Sequence, residues 1–191
     1  MRILPACALA PKLVCAPLRG AALVRSLRSF AQPMGDILLE YGFMEGQRSA
    51  IVGLLRDYET GIGVSLCFQN FAEEVAGLPG EYQPPKGQMI LARGATGALV
   101  GCVCLRPVPA SPESCELKRL YVRGEARGSG TGRRLTLAAL QEARRLGYKR
   151  ICLDTLFSMR EAQSLYRALG FRQTGIASSE PPVLLFERDL G

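Results

Sequence analysis

A glycine-rich stretch between a strand-like run and a helix-like run constrains this chain more than any other feature. Residues 116–122 have the composition of a strand, and residues 135–146 carry apolar side chains at helical spacing. Between them glycine recurs at every second position, at Gly128, Gly130 and Gly132. Glycine has no β-carbon, so backbone amides there can approach a bulky ligand closely. The following helix adds unpaired N–H groups and the positive end of its dipole, and together these features predict an anion cradle, most often used for phosphate.

The spacing of these glycines excludes two common phosphate-binding loops. A G-x-G-x-x-G pattern starting at Gly128 would need glycine where Arg133 stands, and no G-x-x-x-x-G-K-[ST] pattern can be read. The loop does match R-x-x-G-x-G, with Arg127, Gly130 and Gly132 at the defined positions. An ordinary glycine-rich turn between a strand and a helix is the alternative, because a motif is a hypothesis until its structural context supports it.

The net charge of +7 suggests a nucleic-acid partner until the charges are located. Five of the 24 basic residues lie in the first 35 positions, which contain no acidic residue. The rest of the chain therefore holds 19 basic and 17 acidic residues and is nearly balanced. This distribution argues against general nucleic-acid binding by the folded part of the protein.

Residues 1–34 have the composition of an organelle-targeting presequence. They are rich in Ala, Leu and Arg and lack acidic residues, as amphipathic targeting segments do. Prolines and a lysine interrupt the apolar runs, so the segment cannot be a membrane span of ~20 residues. A secretory signal, a disordered tail and a mistaken gene start are the alternatives.

We predict a presequence or disordered tail at 1–34 and one domain at 35–191. The predicted location is a mitochondrion or plastid, or the cytoplasm if the segment is no presequence.

The cysteine and histidine contents exclude several kinds of site. Two of the seven cysteines lie in the first 34 residues, and the other five include no C-x-x-C pair, which argues against a disulfide framework and a zinc site. The chain contains no histidine, so Ser-His and Cys-His nucleophile activation and imidazole metal ligands are excluded. We therefore expect no metal site.

The predicted elements alternate between strands and helices, which indicates an α/β domain. Their order is strand, two helices, three strands, helix, strand, helix and two strands. Residues 107–114, rich in Pro and Ser, are predicted as a loop. Six of the seven predicted strands have ranges, which are 36–41, 88–92, 98–105, 116–122, 150–155 and 183–188. The predicted helices are 45–58, 68–78, 135–146 and 159–169.

A second motif strengthens a resemblance to a known family. Residues 165–171 read Leu-Tyr-Arg-Ala-Leu-Gly-Phe, which is similar to the L-Y-x-x-x-G-F signature of the GNAT superfamily of N-acetyltransferases. With R-x-x-G-x-G, and with E-x-K-R-L-Y-V at 116–122, the chain from 36 to 190 resembles small bacterial-type members. The resemblance implies a GNAT fold, a mixed central sheet of about seven strands flanked by about four helices. It also implies transfer of an acetyl group from acetyl-CoA to a primary amine of a small molecule or peptide, by direct attack in a ternary complex.

The apolar pattern of the strand before the loop is irregular. Cys115 and Leu117 are apolar at odd positions, whereas Leu120 and Val122 are apolar at even positions. A regular strand alternates with period two, so the pattern predicts a β-bulge near 118–119. A strand buried on both faces is the alternative, because it needs no strict alternation. In the family, a bulge here splays this strand from the next, and the pantetheine arm of the coenzyme enters the gap.

The resemblance assigns coenzyme binding to the end of this strand and to the glycine loop. Backbone N–H groups of Leu120 and Val122 would hold the pantetheine and polarise the thioester oxygen. The loop amides would hold the pyrophosphate. The residues expected to bind acetyl-CoA are Leu120, Tyr121, Val122, Arg127, Gly128, Ser129, Gly130, Thr131, Gly132 and Arg133.

Two residues are candidates for the proton transfers. By the resemblance, Tyr166 would donate a proton to the departing thiolate, which a phenol of pKa ~10 can do. Glu116 would accept the proton of the amine, directly or through water. A core tyrosine and a solvated carboxylate are the alternatives.

Met159 stands where many members have asparagine, which puts one polar contact to the coenzyme in doubt. A catalytically silent acyl-CoA-binding regulatory module and a longer acyl donor are alternative functions, and either a monomer or a homodimer is expected.

Overall fold

The computed structural model of the protein describes residues 37–64 and 70–191. The predicted presequence at 1–34 lies outside these ranges. No helix within them is long and apolar enough to cross a membrane. The strands are β1 (Leu38–Tyr41), β2 (Gln88–Arg93), β3 (Leu99–Val108), β4 (Ser111–Val122), β5 (Arg150–Leu156), β6 (Arg172–Ala177) and β7 (Val183–Asp189). The helices are α1 (Arg48–Ile62), α2 (Phe71–Ala76), α3 (Thr131–Arg145) and α4 (Arg160–Ala168).

All seven strands form one mixed sheet in the order β1-β2-β3-β4-β5-β7-β6. Neighbouring strands are antiparallel except β4 and β5, which are parallel. The connection between these two is α3, as expected because a parallel pair needs a long crossover. Within residues 37–64 and 70–191 the structure therefore confirms the predicted sheet of seven strands with four helices.

The core has two parts, one on each face of the sheet. On one face α3 and α4 bury side chains such as Leu135, Leu140 and Tyr166. On the other face α1 and α2 bury side chains such as Ile51, Leu54 and Phe71. The buried residues of α1 are Ile51, Leu54 and Leu55, and each fully buried aliphatic side chain contributes about 1.5–3 kcal/mol.

The predicted loop at 107–114 is wrong. Strand β3 continues to Val108 and β4 begins at Ser111, so only two residues form the turn between them. Pro107 pairs with Cys115 inside this hairpin, and the register shifts between Pro107 and Val108. Proline is tolerated at such an irregular strand end, where it need not donate to the ladder. Composition alone therefore placed the loop too early and made it too long.

Candidate active site

The predicted β-bulge is present in β4. Cys102 of β3 pairs with Tyr121 and Cys104 pairs with Lys118, so two steps along β3 correspond to three along β4. The additional residue is accommodated at Arg119, whose φ of 57° lies in the left-handed region. Leu117, before the bulge, and Leu120, after it, both contact the core beneath α3. The bulge thus keeps the apolar side chains of β4 on one face of the sheet, although they occupy odd positions before it and even positions after it.

Strands β4 and β5 stop pairing before the bulge in β4 and then separate. They pair from Ser114↔Arg150 to Glu116↔Cys152, whereas β5 continues to Leu156 alongside β7. A pocket lies in the resulting gap. Residues of α1, β4, β5, α4 and the turn before α4 line this pocket. They are Tyr58, Leu117, Lys118, Arg119, Leu120, Asp154, Thr155, Met159 and Tyr166.

The contacts of β4 with β3 indicate that two backbone amides of β4 point towards this gap. The N–H of Arg123 donates to the carbonyl of Val100 in β3 at 2.8 Å, so strand alternation turns Val122 to the opposite edge. The carbonyl of Arg119 accepts the Cys102 thiol at 3.2 Å on the β3 side. The N–H of Leu120 belongs to the same planar trans peptide and therefore points the other way. The edge of β4 that faces β5 thus presents hydrogen-bond donors.

The glycine loop leads directly into the N-terminus of α3. Gly128 and Gly130 have φ values of 74° and 80°, and a β-carbon on either would meet open space. Among the described residues no side chain caps α3 at Gly130. The Ser129 hydroxyl donates to the carbonyl of Ala126 at 2.7 Å and lies 2.7 Å from the Thr131 hydroxyl. The first N–H groups of this 15-residue helix therefore have no partner within the helix.

The other residues of the loop have distinct surroundings. A β-carbon at Gly132 would lie 3.8 Å from Leu165 and from Val122, an ordinary contact distance. The Arg127 guanidinium donates to the Val122 carbonyl at 2.9 Å and lies 5.8 Å from the ring centre of Tyr121. Arg133 is exposed. Positive charge therefore surrounds the loop and reaches the end of β4.

Tyr166 is both a core residue and a wall of the pocket. Its side chain is 5% exposed, and its ring packs edge-on against Phe171 with 5.6 Å between the ring centres. Burial, with smaller contributions from Tyr58 and Asp154, raises the pKa of Tyr166 above its ordinary value. The phenol therefore keeps its proton at neutral pH. The two roles considered for this tyrosine are compatible, since the ring packs in the core while the residue lines the pocket.

Glu116 lies beside the pocket and contacts two cations. Its carboxylate accepts the Arg106 guanidinium at 2.7–2.8 Å and lies 3.3 Å from the Lys118 ammonium. Lys118, which is 7% exposed, also donates to Asp154 at 2.7 Å. The Lys118 ammonium therefore lies between the carboxylate of Glu116 and that of Asp154, a wall residue of the pocket.

Asp154 is a candidate that the sequence reasoning missed. Burial, the largest single influence, raises the pKa of Asp154, but the charge and hydrogen bond of Lys118, with smaller contributions from a backbone hydrogen bond and Arg119, together lower it. The carboxylate is therefore ionised at neutral pH. An acid within the apolar run of 150–155 was the available signal, because a lone carboxylate in a largely buried strand needs a partner.

The residue before α4 gives the pocket an apolar wall. Met159 lines the pocket, and its sulfur accepts the Thr155 hydroxyl at 3.7 Å. A thioether accepts hydrogen bonds only weakly, so this wall offers less polar contact than an asparagine would.

The chain is similar to known acetyltransferases in sequence. Residues 54–171 match the model of the Acetyltransferase (GNAT) family. An uncharacterized N-acetyltransferase of Schizosaccharomyces pombe is 40% identical over 121 residues, covering 63% of this chain and 74% of the relative. N-acetyltransferase 8 of Mus musculus is 33% identical over 115 residues, which cover 59% of this chain. The chain spans only 49% of that mouse protein.

Solved structures share the fold. A GNAT-family acetyltransferase of Staphylococcus aureus superposes with a TM-score of 0.67 at 19% identity, covering 81% of this chain and 99% of that one. An acetyltransferase of Streptococcus agalactiae also gives 0.67, at 18% identity, over 82% and 99% of the two chains. The family match covers more than half of the sequence and includes both motifs. This chain is an acetyltransferase and belongs to the GNAT family.

Proposed function

We propose that this protein transfers the acetyl group of acetyl-CoA to a primary amine of a small molecule or peptide, by direct attack in a ternary complex. The observation that carries the proposal is the gap between β4 and β5. It begins where pairing ends at Glu116↔Cys152, and its pocket is lined by Tyr166. The glycine loop follows β4 and would hold the phosphate end of a coenzyme whose arm enters this gap.

The coenzyme would be held by backbone more than by side chains. Open space beside Gly128 and Gly130 and the uncapped start of α3 fit a pyrophosphate. The N–H groups of Leu120 and Val122 would bind the pantetheine arm along the edge of β4. The proposed acetyl-CoA contacts are those of Leu120, Tyr121, Val122, Arg127, Gly128, Ser129, Gly130, Thr131, Gly132 and Arg133.

The proposed reaction balances with groups that surround the pocket. The neutral amine attacks the thioester carbon, so a C–N bond forms and the C–S bond breaks. The Leu120 N–H would stabilise the carbonyl oxygen as it gains negative charge. Tyr166 would give its proton to the departing thiolate, and a carboxylate would take the proton that the amine nitrogen loses.

An acceptor-panel assay tests the proposal. The protein is incubated with acetyl-CoA and, in turn, monoamines, diamines, amino acids and peptides with a free amino group. We expect release of the coenzyme thiol that depends on one class of acceptor, together with the N-acetylated product. Coenzyme binding without acetylation of any amine in the panel would contradict the proposed function.

Two carboxylates could accept the amine proton. Glu116 is the proposed base, acting directly or through water, and Asp154 is the second candidate because it lines the pocket. Lys118 contacts both carboxylates, at 3.3 Å and 2.7 Å. Both groups therefore need to be tested by the same measurement.

The pH dependence of kcat/KM distinguishes these two carboxylates. A base must be ionised, so activity rises with pH through its pKa. We expect Glu116→Gln to lower kcat/KM by about a hundredfold and to shift this rising limb. The pKa of Asp154 lies below its ordinary value. If Asp154 is the base, the rise of kcat/KM with pH should therefore fall in the acid range. An unchanged profile in Glu116→Gln, with a large loss in Asp154→Asn, would assign the role to Asp154.

We also propose that residues 1–34 are a presequence directing the protein to a mitochondrion or plastid. A truncated protein starting at Gly35 should then have the free energy of unfolding of the full chain, because a targeting presequence is not part of the folded domain. Chemical denaturation of both proteins measures this. A fusion of residues 1–34 to a fluorescent reporter should enter the organelle. A large loss of stability, or a cytosolic reporter, would contradict the proposal.

A further inference from the structure

Arg119 has an unusual environment for a bulge residue. Its φ of 57° lies in a region that non-glycine residues rarely adopt, at a cost of roughly 1–2 kcal/mol. Its side chain is only 1% exposed. A buried arginine in a left-handed conformation needs compensating contacts, and their identity suggests what the residue does.

The guanidinium of Arg119 is anchored on the helical layer that covers this face. Its Nε and Nη2 donate to the two carboxylate oxygens of Glu74 at 2.8 Å and 2.6 Å, a two-pronged contact. It also lies 5.0 Å from the ring centre of Phe71 and 5.7 Å from that of Tyr58. Glu74 and Phe71 belong to α2 and Tyr58 to α1, so both helices hold the bulge.

The backbone of Arg119 is held as well as its side chain. Its carbonyl accepts the Cys102 thiol at 3.2 Å. The carbonyl and the Leu120 N–H are opposite ends of one planar peptide, so fixing the first fixes the direction of the second. Rotation of this peptide would move the Leu120 N–H away from the gap and would break the contact of the Arg119 carbonyl with the Cys102 thiol. The contacts of the Arg119 side chain with Glu74 hold the Cα atom from which this peptide leaves.

We propose that the Arg119–Glu74 ion pair is a positioning pair, which aims the Leu120 N–H at the thioester oxygen. The inference rests on the proposed function, in which that N–H stabilises the reacting carbonyl. A donor contributes most when it is already oriented before the reaction, because no reorganisation is then required. The ion pair supplies this orientation from α2, through the backbone of Arg119.

The test compares Glu74→Gln and Arg119→Lys with a matched control. Glu74→Gln keeps the shape of the side chain and removes its charge, whereas Arg119→Lys keeps the charge and removes the fork. The control is Glu40→Gln. Glu40 forms a two-pronged pair with Arg93 at 2.6 Å and 2.7 Å, which joins β1 to β2 away from the pocket.

The direct measurement is the infrared band of the thioester carbonyl in bound acetyl-CoA, carrying a carbon-13 label. A hydrogen bond to this oxygen lowers the band relative to free acetyl-CoA. We expect the lowered band in the wild type and in Glu40→Gln, and a return towards the free position in the two test variants. Their affinity for acetyl-CoA should change by about twofold or less, while kcat falls about tenfold or more.

Several outcomes would overturn the positioning role. These are a wild-type band at the position of free acetyl-CoA, an unchanged band in either folded test variant, and an equal change in Glu40→Gln. The wild-type measurement applies even if neither test variant folds. If the band is lowered in the wild type and returns in both test variants, but the protein acetylates no amine, the proposed function is contradicted and the positioning role is supported, so the two failures are distinguishable.

Discussion

Gly130→Asp is expected to weaken acetyl-CoA binding by about a hundredfold, which corresponds to about 3 kcal/mol at 1.4 kcal/mol per decade. The proposed pyrophosphate carries two negative charges, and hydrogen bonds to charged groups are worth ~1.5–3 kcal/mol each. Gly130 precedes the uncapped start of α3. A carboxylate there would repel the phosphates and compete for the amides that should bind them.

The backbone conformation at Gly130 requires a matched control. Its φ of 80° strains any side chain, whatever the space around it. Gly130→Asn has the shape of aspartate without the charge, and asparagine tolerates the left-handed region better than most residues. The difference in affinity between the two variants therefore isolates the electrostatic effect from backbone strain.

Titration calorimetry with acetyl-CoA measures this difference, and circular dichroism checks that both variants fold. Arg127→Ala should cost less, because Arg127 is exposed and shares its charge with solvent. Wild-type affinity in folded Gly130→Asp would mean that the pyrophosphate does not bind in this loop.

The features that local patterns predicted are those whose physical cause is local. The change of parity between Leu117 and Leu120 predicted the bulge, because both side chains must reach the same core. The glycine-rich stretch predicted a loop between a strand and a helix, and Gly128 and Gly130 in that loop have positive φ. Sequence order and the two motifs also predicted the seven strands and four helices.

Contacts between distant parts of the chain were not predictable in this way. Lys118 and Asp154 are 36 positions apart, and Arg119 and Glu74 are 45 apart. In the sequence each is only a charge within or beside an apolar run. Their pairing depends on the separation of β4 from β5 and on the position of α2, which local periodicity does not contain.

Tyr166→Phe is expected to lower kcat by about a hundredfold, the usual size of a general-acid effect. The affinity for acetyl-CoA should hardly change, because only the transition state uses the proton. The substitution keeps the ring and its edge-on contact with Phe171. Steady-state kinetics with a saturating acceptor, and calorimetry with acetyl-CoA, measure the two effects separately.

The raised pKa of Tyr166 gives a second expectation. A phenol with a raised pKa stays protonated below that value, so the acid form is fully present at neutral pH and is lost only as pH rises through the raised pKa. Wild-type kcat should therefore not fall between about pH 7 and pH 9 through ionisation of this residue.

Tyr148→Phe is the matched control for Tyr166→Phe. Tyr148 is also buried, and its hydroxyl donates to the Lys86 carbonyl at 2.6 Å, outside the residues that line the pocket. Its loss should reduce the free energy of unfolding by about 1 kcal/mol and leave kcat unchanged. Comparing the two variants thus distinguishes a hydroxyl that stabilises the fold from one that takes part in the reaction. If Tyr166→Phe keeps the wild-type kcat, Tyr166 serves only in packing, and the thiolate takes its proton from water.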